Sequence, residues 1–322
     1  MRIGLIDVDS HKFPNLALMK ISAYHKTNGD NVEWYSPFGE RYDKVYASKV
    51  FSFSPDYDMC INADEVVYGG TGYAINLIKG KEIFNQNKNE CLPDDIEHIY
   101  PDYSLYNVTD SAYGFLSRGC PRGCKFCIVG KKEGLKSVKA ANLSEFWSGQ
   151  KNIVLLDPNI LACSKWEDLL TQLADSKATV DFTQGLDIRL INKEKVELLN
   201  NIKKKEIHFA WDRWEDKDVI LPKFEEFAKY SNKKLSHNSI VYTIVNFDTT
   251  FEQDLERIYI LRKLGYWAYV MIYDKAHCDK KYKELQRWVN NRFIFAKCET
   301  FEDYKTKILM GGGKTEGLFT ES

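Results

Sequence analysis

Apolar runs alternate with amphipathic segments along the chain and form two separate series. In the first series, residues 3–8 predict a strand, and apolar residues recur at helical spacing from Leu16 to Tyr24. Pro14 precedes this helix and Gly29 follows it, as is typical of helix ends. Shorter apolar runs predict strands at 32–35, 44–50, 58–61 and 66–68. The alternation indicates a small doubly wound α/β domain of flavodoxin or Rossmann type over residues 1–85.

The second series runs from residue 111 nearly to the end of the chain. Its candidate strands are 112–117, 152–156, 179–183, 206–210, 239–245 and 267–273. Helical patterns lie between them at 164–175, 193–201, 219–230 and 250–264. Because parallel crossovers are right-handed, six such βα units predict a partial (β/α)6 barrel of TIM type over residues 111–300. Chemistry in such barrels lies on the loops at the carboxyl ends of the strands.

Two stretches lack these patterns. Residues 86–110 are polar and rich in tyrosine, with two prolines, which predicts a linker between the domains. Residues 301–322 are predicted to be a C-terminal tail. Its GGGKT sequence lacks the upstream glycine of a phosphate-binding loop.

Composition and charge narrow the class of protein. The chain has 322 residues, of which 44% are apolar, and a formal net charge of -1. This apolar content supports real cores, while the balanced charge gives no strong nucleic-acid signal. The chain shows no signal-peptide pattern and no apolar run long enough to cross a bilayer. We therefore expect a cytoplasmic protein without a membrane partner, in which thiols stay reduced.

Three of the eight cysteines lie in one short stretch, SRGCPRGCKFCIVG, directly after the first strand of the second series. Clustered cysteines in a chain with reduced thiols indicate metal binding or catalysis. Gly119 and Gly123 allow the tight turns through which Cys120, Cys124 and Cys127 converge on one centre. Three thiolates satisfy three irons of a [4Fe-4S] cubane and leave the fourth iron open to a ligand. A structural zinc site is the alternative, and it needs a fourth ligand that this loop does not supply.

The spacing C-x3-C-x2-C, with Phe126 before the last cysteine and a βα series around it, resembles that of the radical S-adenosylmethionine (radical SAM) enzymes. The resemblance covers residues 111–295. It implies a [4Fe-4S] cluster on Cys120, Cys124 and Cys127 that holds S-adenosylmethionine on its open iron. It also implies reductive cleavage to a 5′-deoxyadenosyl radical that takes a hydrogen atom from a substrate, and an electron donor such as flavodoxin or ferredoxin.

Polar residues after the second strand of the series are candidates to bind this cofactor. The family often has Gly-Gly-Glu there, whereas this chain has Asp157-Pro158-Asn159. Asp157 or Asn159 is expected to accept from the amino group of S-adenosylmethionine. The alternative is a simple turn, since Asp-Pro-Asn is favourable turn chemistry.

Further cofactor-binding candidates follow the third and fifth strands. Arg189 is expected to pair with the methionine carboxylate, and Gln184 or Asp187 to reach the ribose hydroxyls. The alternative is an Asp187–Arg189 pair that only orders the loop. Asn246, after the fifth strand, is a candidate for binding the cofactor or the substrate.

The first domain resembles the cobalamin-binding domain that precedes the barrel in one class of radical SAM enzymes. The resemblance rests on Asp9-Ser10-His11 after the first strand, on Ser48-Lys49-Val50 and on Gly69-Gly70. It departs from the family at Pro14, where the family motif has glycine. Cobalamin bound by this domain is one expectation, and a cofactor-free domain that caps the barrel or recognises substrate is the other.

These residues together predict a radical SAM enzyme whose substrate is a small molecule, a peptide or RNA. One alternative is a cobalamin-dependent radical SAM methyltransferase or a methylthiotransferase-like enzyme. The other is a non-catalytic module in which the metal is structural and the α/β domain mediates binding.

Overall fold

The computed structural model describes residues 1–10, 13–78, 81–232 and 234–310. The chain divides into two compact units. The first contains residues 1–184 and 201–204, and the second contains residues 185–200 and those from 205 onwards. This division falls within the region predicted as one barrel, and the predicted domain limits at 85, 110 and 300 stay a prediction.

The first unit begins with a four-stranded parallel sheet. Its elements are β1 (Arg2–Asp7), α1 (Leu16–Thr27), β2 (Asn31–Trp34), β3 (Tyr42–Ser48) and β4 (Ala63–Gly69), and the strand order is β2-β1-β3-β4. Asn15 caps α1 by accepting a hydrogen bond from the Leu18 amide at 3.2 Å. The predicted strand and helix are both present, because their apolar faces meet in one core that contains Ile3, Leu5, Leu18 and Ile21.

The predicted strand at 58–61 is wrong, and the edge strand β4 begins at Ala63 instead. The backbone of this stretch bonds to a tyrosine rather than to a neighbouring strand. The Tyr35 hydroxyl donates to the Cys60 carbonyl (3.2 Å) and accepts from the Asn62 amide (2.8 Å). A side-chain partner thus replaces the strand partner that the apolar pattern predicts.

Residues 71–110 contain α2 (Thr71–Ala74), an antiparallel hairpin of β5 (Ile75–Ile78) and β6 (Lys81–Phe84), and α3 (Asp94–Glu97). The stretch predicted as a linker is therefore partly helical, and it packs on α1. Ile96 is 6% exposed and joins the core of β1 and α1. Lys20 on α1 forms an ion pair with Glu97 at 3.0 Å. Lys26 on α1 also forms an ion pair with Asp102 at 2.6 Å. Apolar packing and ion pairs thus fix this segment to the first sheet domain.

A three-stranded parallel sheet follows in the same unit. The elements are β7 (Ser111–Gly114), β8 (Ser117–Arg118), α4 (Val129–Lys132), β9 (Val138–Lys139), β10 (Asn152–Leu155), α5 (Trp166–Ser176) and β11 (Thr179–Phe182). The strand order is β11-β10-β7. Ile153 and Leu155 on the central strand are fully buried, as are Leu169 and Leu173 on the crossover helix α5. The short strands β8 and β9 pair antiparallel, which the sequence does not predict.

The second unit has its own three-stranded parallel sheet with helical crossovers. Its elements are α6 (Lys193–Asn201), β12 (Ile207–Ala210), α7 (Lys217–Tyr230), β13 (Ser239–Val245), α8 (Phe251–Leu264), β14 (Trp267–Ile272), α9 (Lys280–Asn290), α10 (Arg292–Lys297) and α11 (Phe301–Tyr304). The strand order is β12-β13-β14. A capping box of Thr250 and Gln253 begins α8, and Gly265, with a φ of 87°, ends it.

Residues 301–310 are helical, although they fall in the predicted tail. A π-helical turn at Lys305–Met310 follows α11. Phe301 and Tyr304 are buried, and the Phe301 ring lies 5.7 Å from the Trp288 ring of α9. These aromatic side chains anchor the segment. Residues 311–322, which include GGGKT, lie outside the described residues.

The predicted α/β class is confirmed. The part of the chain that the structure describes contains three parallel sheets, two antiparallel strand pairs and eleven α-helices. Among these helices, none combines the length and the apolar composition that crossing a membrane requires.

Candidate functional site

The cysteine loop, residues 119–137, is closed at its two ends by the antiparallel pair β8 and β9. Within it, the Cys120 amide donates to the Gly134 carbonyl (3.2 Å). The Cys127 amide donates to the Cys124 carbonyl (3.0 Å). Backbone hydrogen bonds therefore fix the loop at its ends and around its first and last cysteines.

Two glycines form the turns of this loop. Gly119 has a φ of 85°, and a Cβ at this position would lie 2.2 Å from the carbonyl oxygen of Lys136. Gly123 has a φ of 56°. Both conformations belong to the left-handed region, which glycine adopts without steric cost. Glycine is required at position 119 for two reasons: its φ is positive, and a side chain would clash with the opposite side of the loop.

A carboxylate braces the start of the cysteine loop. Glu133 accepts hydrogen bonds from the Gly119 amide (3.1 Å) and from Nη1 of Arg118 (3.2 Å). Arg118 also pairs with Glu97 (3.3 Å) and lies over the Phe115 ring at 3.8 Å. The sequence analysis missed Glu133. It is the one acidic residue between positions 118 and 139, and that isolation among basic residues is the signal that identifies it.

Asp157 is buried and faces the junction between β7 and the cysteine loop. Its carboxylate accepts from the amides of Leu116 (3.0 Å) and Ser117 (2.5 Å) and from the Ser117 hydroxyl (2.6 Å). Burial raises the pKa of Asp157 to about 6, against the opposing effect of these hydrogen bonds. This carboxylate therefore positions β8, and its contact with a cofactor stays a prediction.

Asn159, two residues further along, reaches the first cysteine. Its Nδ2 donates to Sγ of Cys120 at 3.5 Å. Its main-chain oxygen accepts from the Ser137 hydroxyl at 2.9 Å, at the far end of the cysteine loop. Two residues that the sequence assigns to one site are thus brought together, through a contact that the sequence did not predict.

The sequence implies a [4Fe-4S] cluster on the three cysteines of this loop. The three cysteines are half-buried. Within the described ranges, no group of three or more His, Cys, Asp or Glu side chains is close enough together to hold a single metal ion. A cubane makes a different demand, because each cysteine binds its own iron. Three thiols in one loop, with glycine turns between them and an amide donor at Cys120, are the type of ligands that a cubane takes. Binding of a cluster by these cysteines stays a prediction.

The surface of the cysteine loop is positively charged. Residues 118–139 contain seven Lys and Arg residues and one Glu, in a chain whose net charge is -1. Lys125, Lys131 and Lys136 are exposed. A local excess of positive charge of this kind attracts acidic groups.

The candidates after the third strand lie in different units. Gln184 ends the first unit, where it is exposed and donates to the Thr183 hydroxyl at 3.4 Å. In the second unit, Arg189 pairs with Asp187 (2.7 Å) and with Asp216 (2.8 Å). The Asp187–Arg189 ion pair, which the alternative interpretation predicts to order this loop, is therefore present. Contacts of Gln184, Asp187 and Arg189 with a cofactor stay predictions.

Asn246 connects the loops that follow β13 and β14. Its backbone is left-handed, with a φ of 64°. Its amide donates to Oδ2 of Asp254 (3.0 Å), and its Nδ2 donates to the Tyr273 carbonyl (3.0 Å). Ligands of parallel sheets bind at such strand ends, and strained residues concentrate at functional sites. The binding role of Asn246 stays a prediction.

A buried ion pair that the sequence analysis missed fixes these strand ends. Arg257 and Asp254 on α8 are both fully buried and lie 2.5 Å apart. Arg257 also donates to the main-chain oxygens of Trp211 after β12 and Ile244 on β13, at 2.6 Å each. The signal is periodic: Asp254 and Arg257 share the spacing of the buried Ile258 and therefore lie on the core face of α8.

Asp212 is a second acidic residue of this region. It follows β12 and accepts from the Ile244 amide at 3.1 Å. Burial raises the pKa of its carboxyl group. A carboxyl group with a raised pKa at the carboxyl end of a parallel strand is a candidate for proton transfer or ligand binding.

The residues that carry the cobalamin resemblance meet at the carboxyl ends of β1, β3 and β4. Asp9 is buried and accepts from the amides of Val50 and Phe51, at 2.8 Å each. Gly70 has a φ of 95° and packs so closely on the same loop that a Cβ would lie 2.3 Å from a carbonyl oxygen. His11, which also belongs to the resemblance, lies outside the described residues.

No described protein family matches this chain, and no curated protein matches it. A functional assignment therefore depends on the residues and their geometry.

Proposed function

We propose that this chain is a radical SAM enzyme that holds a [4Fe-4S] cluster on Cys120, Cys124 and Cys127. One observation carries the proposal. Three half-buried cysteines share one glycine-turned loop, and Asn159, after the next parallel strand, donates to the sulfur of the first. When bound and reduced, the cluster supplies one electron that splits S-adenosylmethionine into methionine and a 5′-deoxyadenosyl radical, which takes a hydrogen atom from the substrate.

The residues around the loop prepare a site for this chemistry. Asp157 and Glu133 hold the entry to the loop through backbone amides. Asn159 donates to sulfur, which favours the more negative, reduced state of a cluster. The exposed residues Lys125, Lys131 and Lys136 suit an acidic one-electron donor such as flavodoxin or ferredoxin.

The proposal includes a finer fold. We propose that the six parallel strands of the βα series form a partial (β/α)6 barrel. We also propose that the first sheet is part of a doubly wound domain. Parallel pairing with helical crossovers in each three-stranded sheet and the order β2-β1-β3-β4 in the first support this.

Anaerobic reconstitution with iron and sulfide tests the proposal. We expect about four irons per chain and formation of 5′-deoxyadenosine from S-adenosylmethionine with dithionite as reductant. The variant Cys120→Ala/Cys124→Ala/Cys127→Ala should lose both properties. The matched control Cys60→Ala/Cys91→Ala/Cys278→Ala removes three cysteines outside the loop and should keep both.

Two results would contradict the proposal. One is cleavage of S-adenosylmethionine by the variant that lacks the three loop cysteines. The other is a protein that takes up zinc in place of iron, which favours the non-catalytic metal-binding module.

A cobalamin-dependent methyltransferase or methylthiotransferase-like enzyme is the second candidate. The contact of Asp9 with the loop after β3 favours it, because three elements of the resemblance meet there. Retention of hydroxocobalamin after gel filtration, read from its visible absorbance, tests it. A chain that retains no cobalamin and still cleaves S-adenosylmethionine supports the cofactor-free domain instead.

A further inference from the structure

We infer that the second unit carries a groove that binds a nucleoside phosphate, either free or within a single-stranded nucleic acid. The groove lies along β14 and has a volume of about 540 Å³. Its lining includes Tyr269, Lys275, Lys283, Gln286, Arg287 and Asn290, together with Asn291. It contains no part of the cysteine loop and does not depend on the proposed radical chemistry.

The charge of the groove selects an anion. Lys283 and Arg287 lie one helical turn apart on α9, and Lys275 comes from the loop after β14. All three are exposed, and no carboxylate lines the groove. Lys275 and Lys283 form no ion pair within the described ranges. A phosphate that enters the groove therefore meets positive charge that the protein does not neutralise.

Side-chain amides hold the wall of the groove to the edge strand. Asn290 accepts from the Val270 amide (2.8 Å) and donates to the Val270 carbonyl (3.0 Å). Gln286 donates to the same carbonyl at 3.0 Å. These bonds fix one face of α9 against β14. The spacing of residues 283, 286, 287 and 290 places the two cations on that same face.

Tyr269 supplies an aromatic wall, which points to a planar ligand. Its side chain is 43% exposed. Its ring lies 5.9 Å from that of Tyr242 on β13, which stacks on His208 of β12 at 5.2 Å and 5°. A row of three rings thus crosses the sheet and ends at the groove. Exposed rings next to cations bind bases and phosphates together, whereas a carboxylate ligand requires only the cations.

Fluorescence anisotropy of the full chain with a short, labelled single-stranded RNA tests the inference. We expect binding that weakens with salt. Lys283→Glu/Arg287→Glu should weaken it by about tenfold or more and reduce the salt slope by about one. Lys205→Glu/Lys229→Glu makes the same charge change at exposed residues outside the groove and should leave the affinity within about twofold.

A second pair of variants separates stacking from charge. Tyr269→Ala should weaken RNA binding by about tenfold and leave competition by inorganic phosphate unchanged. Tyr273→Ala removes an exposed tyrosine outside the groove and serves as its control. Thermal unfolding verifies that each variant is folded. Lys275→Glu, on an exposed loop, replaces the double variant if that one does not fold.

Each outcome decides the inference. Competition by adenosine monophosphate as strong as that by unlabelled RNA identifies a free nucleotide as the ligand, and competition by RNA alone identifies a nucleic acid. The inference is overturned if the wild type binds neither ligand, or if the groove variants bind as the wild type does. It is also overturned if polyglutamate competes as well as RNA and Tyr269→Ala has no effect, because the groove then takes acidic ligands in general.

Discussion

Nδ2 of Asn159 donates a hydrogen bond to Sγ of Cys120, so that a residue after β10 touches the first residue of the cysteine triad. The Ser137 hydroxyl donates a hydrogen bond to the main-chain carbonyl of Asn159, and this bond holds the asparagine in place independently of its side chain. The side-chain contact can therefore be removed without releasing the loop.

We expect Asn159→Ala to shift the midpoint potential of the reconstituted cluster to a more negative value. Loss of an N–H donor to sulfur disfavours the reduced state, which carries more negative charge. A redox titration followed by electron paramagnetic resonance measures the shift. Asn152→Ala on β10 is the control, and an identical potential for Asn159→Ala and wild type refutes the expectation.

Asp157 makes the stability of the protein depend on pH. Its folded-state pKa of about 6 lies above the value of about 3.9 for an unfolded chain, so the folded state binds more protons between these values. The resulting stabilisation is fully present below about pH 4 and is lost as the pH rises through about 6.

Asp157→Asn removes this titration. The free energy of unfolding of the wild type minus that of the variant should therefore fall by on the order of 3 kcal/mol between about pH 4 and about pH 7. Urea unfolding at several pH values measures it. Asp110→Asn replaces an exposed carboxylate and should give a nearly constant difference. A constant difference for Asp157→Asn as well contradicts the expectation.

Gly119→Ala should prevent normal assembly of the cluster. The new Cβ would lie 2.2 Å from a carbonyl oxygen across the loop, in addition to the strain of a positive φ. Gly149→Ala isolates the strain alone, since its φ is 92° and nothing lies within 4 Å of the added carbon. The control should lose about 1 kcal/mol of stability and keep its iron. Equal iron content in both variants after reconstitution would show that the steric contact is unimportant.

Arg257→Met should destabilise the chain by about 3–5 kcal/mol, because Asp254 then remains buried without its partner. Arg213→Met breaks a half-exposed pair with Glu215 and should cost less than about 1 kcal/mol. Chemical denaturation compares the two. A loss of the same size in both variants argues against the special role of the buried pair.

The sequence predicts a strand correctly where a single short apolar run determines its position. Ile153 and Leu155 are fully buried, and their run predicts β10 to within one residue. Ile96 and Phe301 lie in short segments that are mostly polar, and these segments are predicted as linker and tail. Their burial depends on surfaces supplied by other elements: α1, about 70 residues earlier, for Ile96, and α9 for Phe301.

The candidate site is likewise only partly predictable from the sequence. The cysteines and their glycines are recognisable from spacing, because the whole loop is local in sequence. The contact of Asn159 with Cys120 joins residues 39 positions apart and depends on the pairing of β10 with β7. The roles of Glu133 and Arg257 depend likewise on partners that only the folded chain supplies.

The antiparallel pair of β8 and β9 closes the cysteine loop, so that the loop can open locally while the neighbouring sheet stays paired. Residues 119–137 lie between its two strands, and β7, β10 and β11 pair without them. We therefore expect oxidation or rearrangement of the thiols to disturb this short segment most. If the proposed cluster forms, its assembly and repair should leave the sheets of the chain folded.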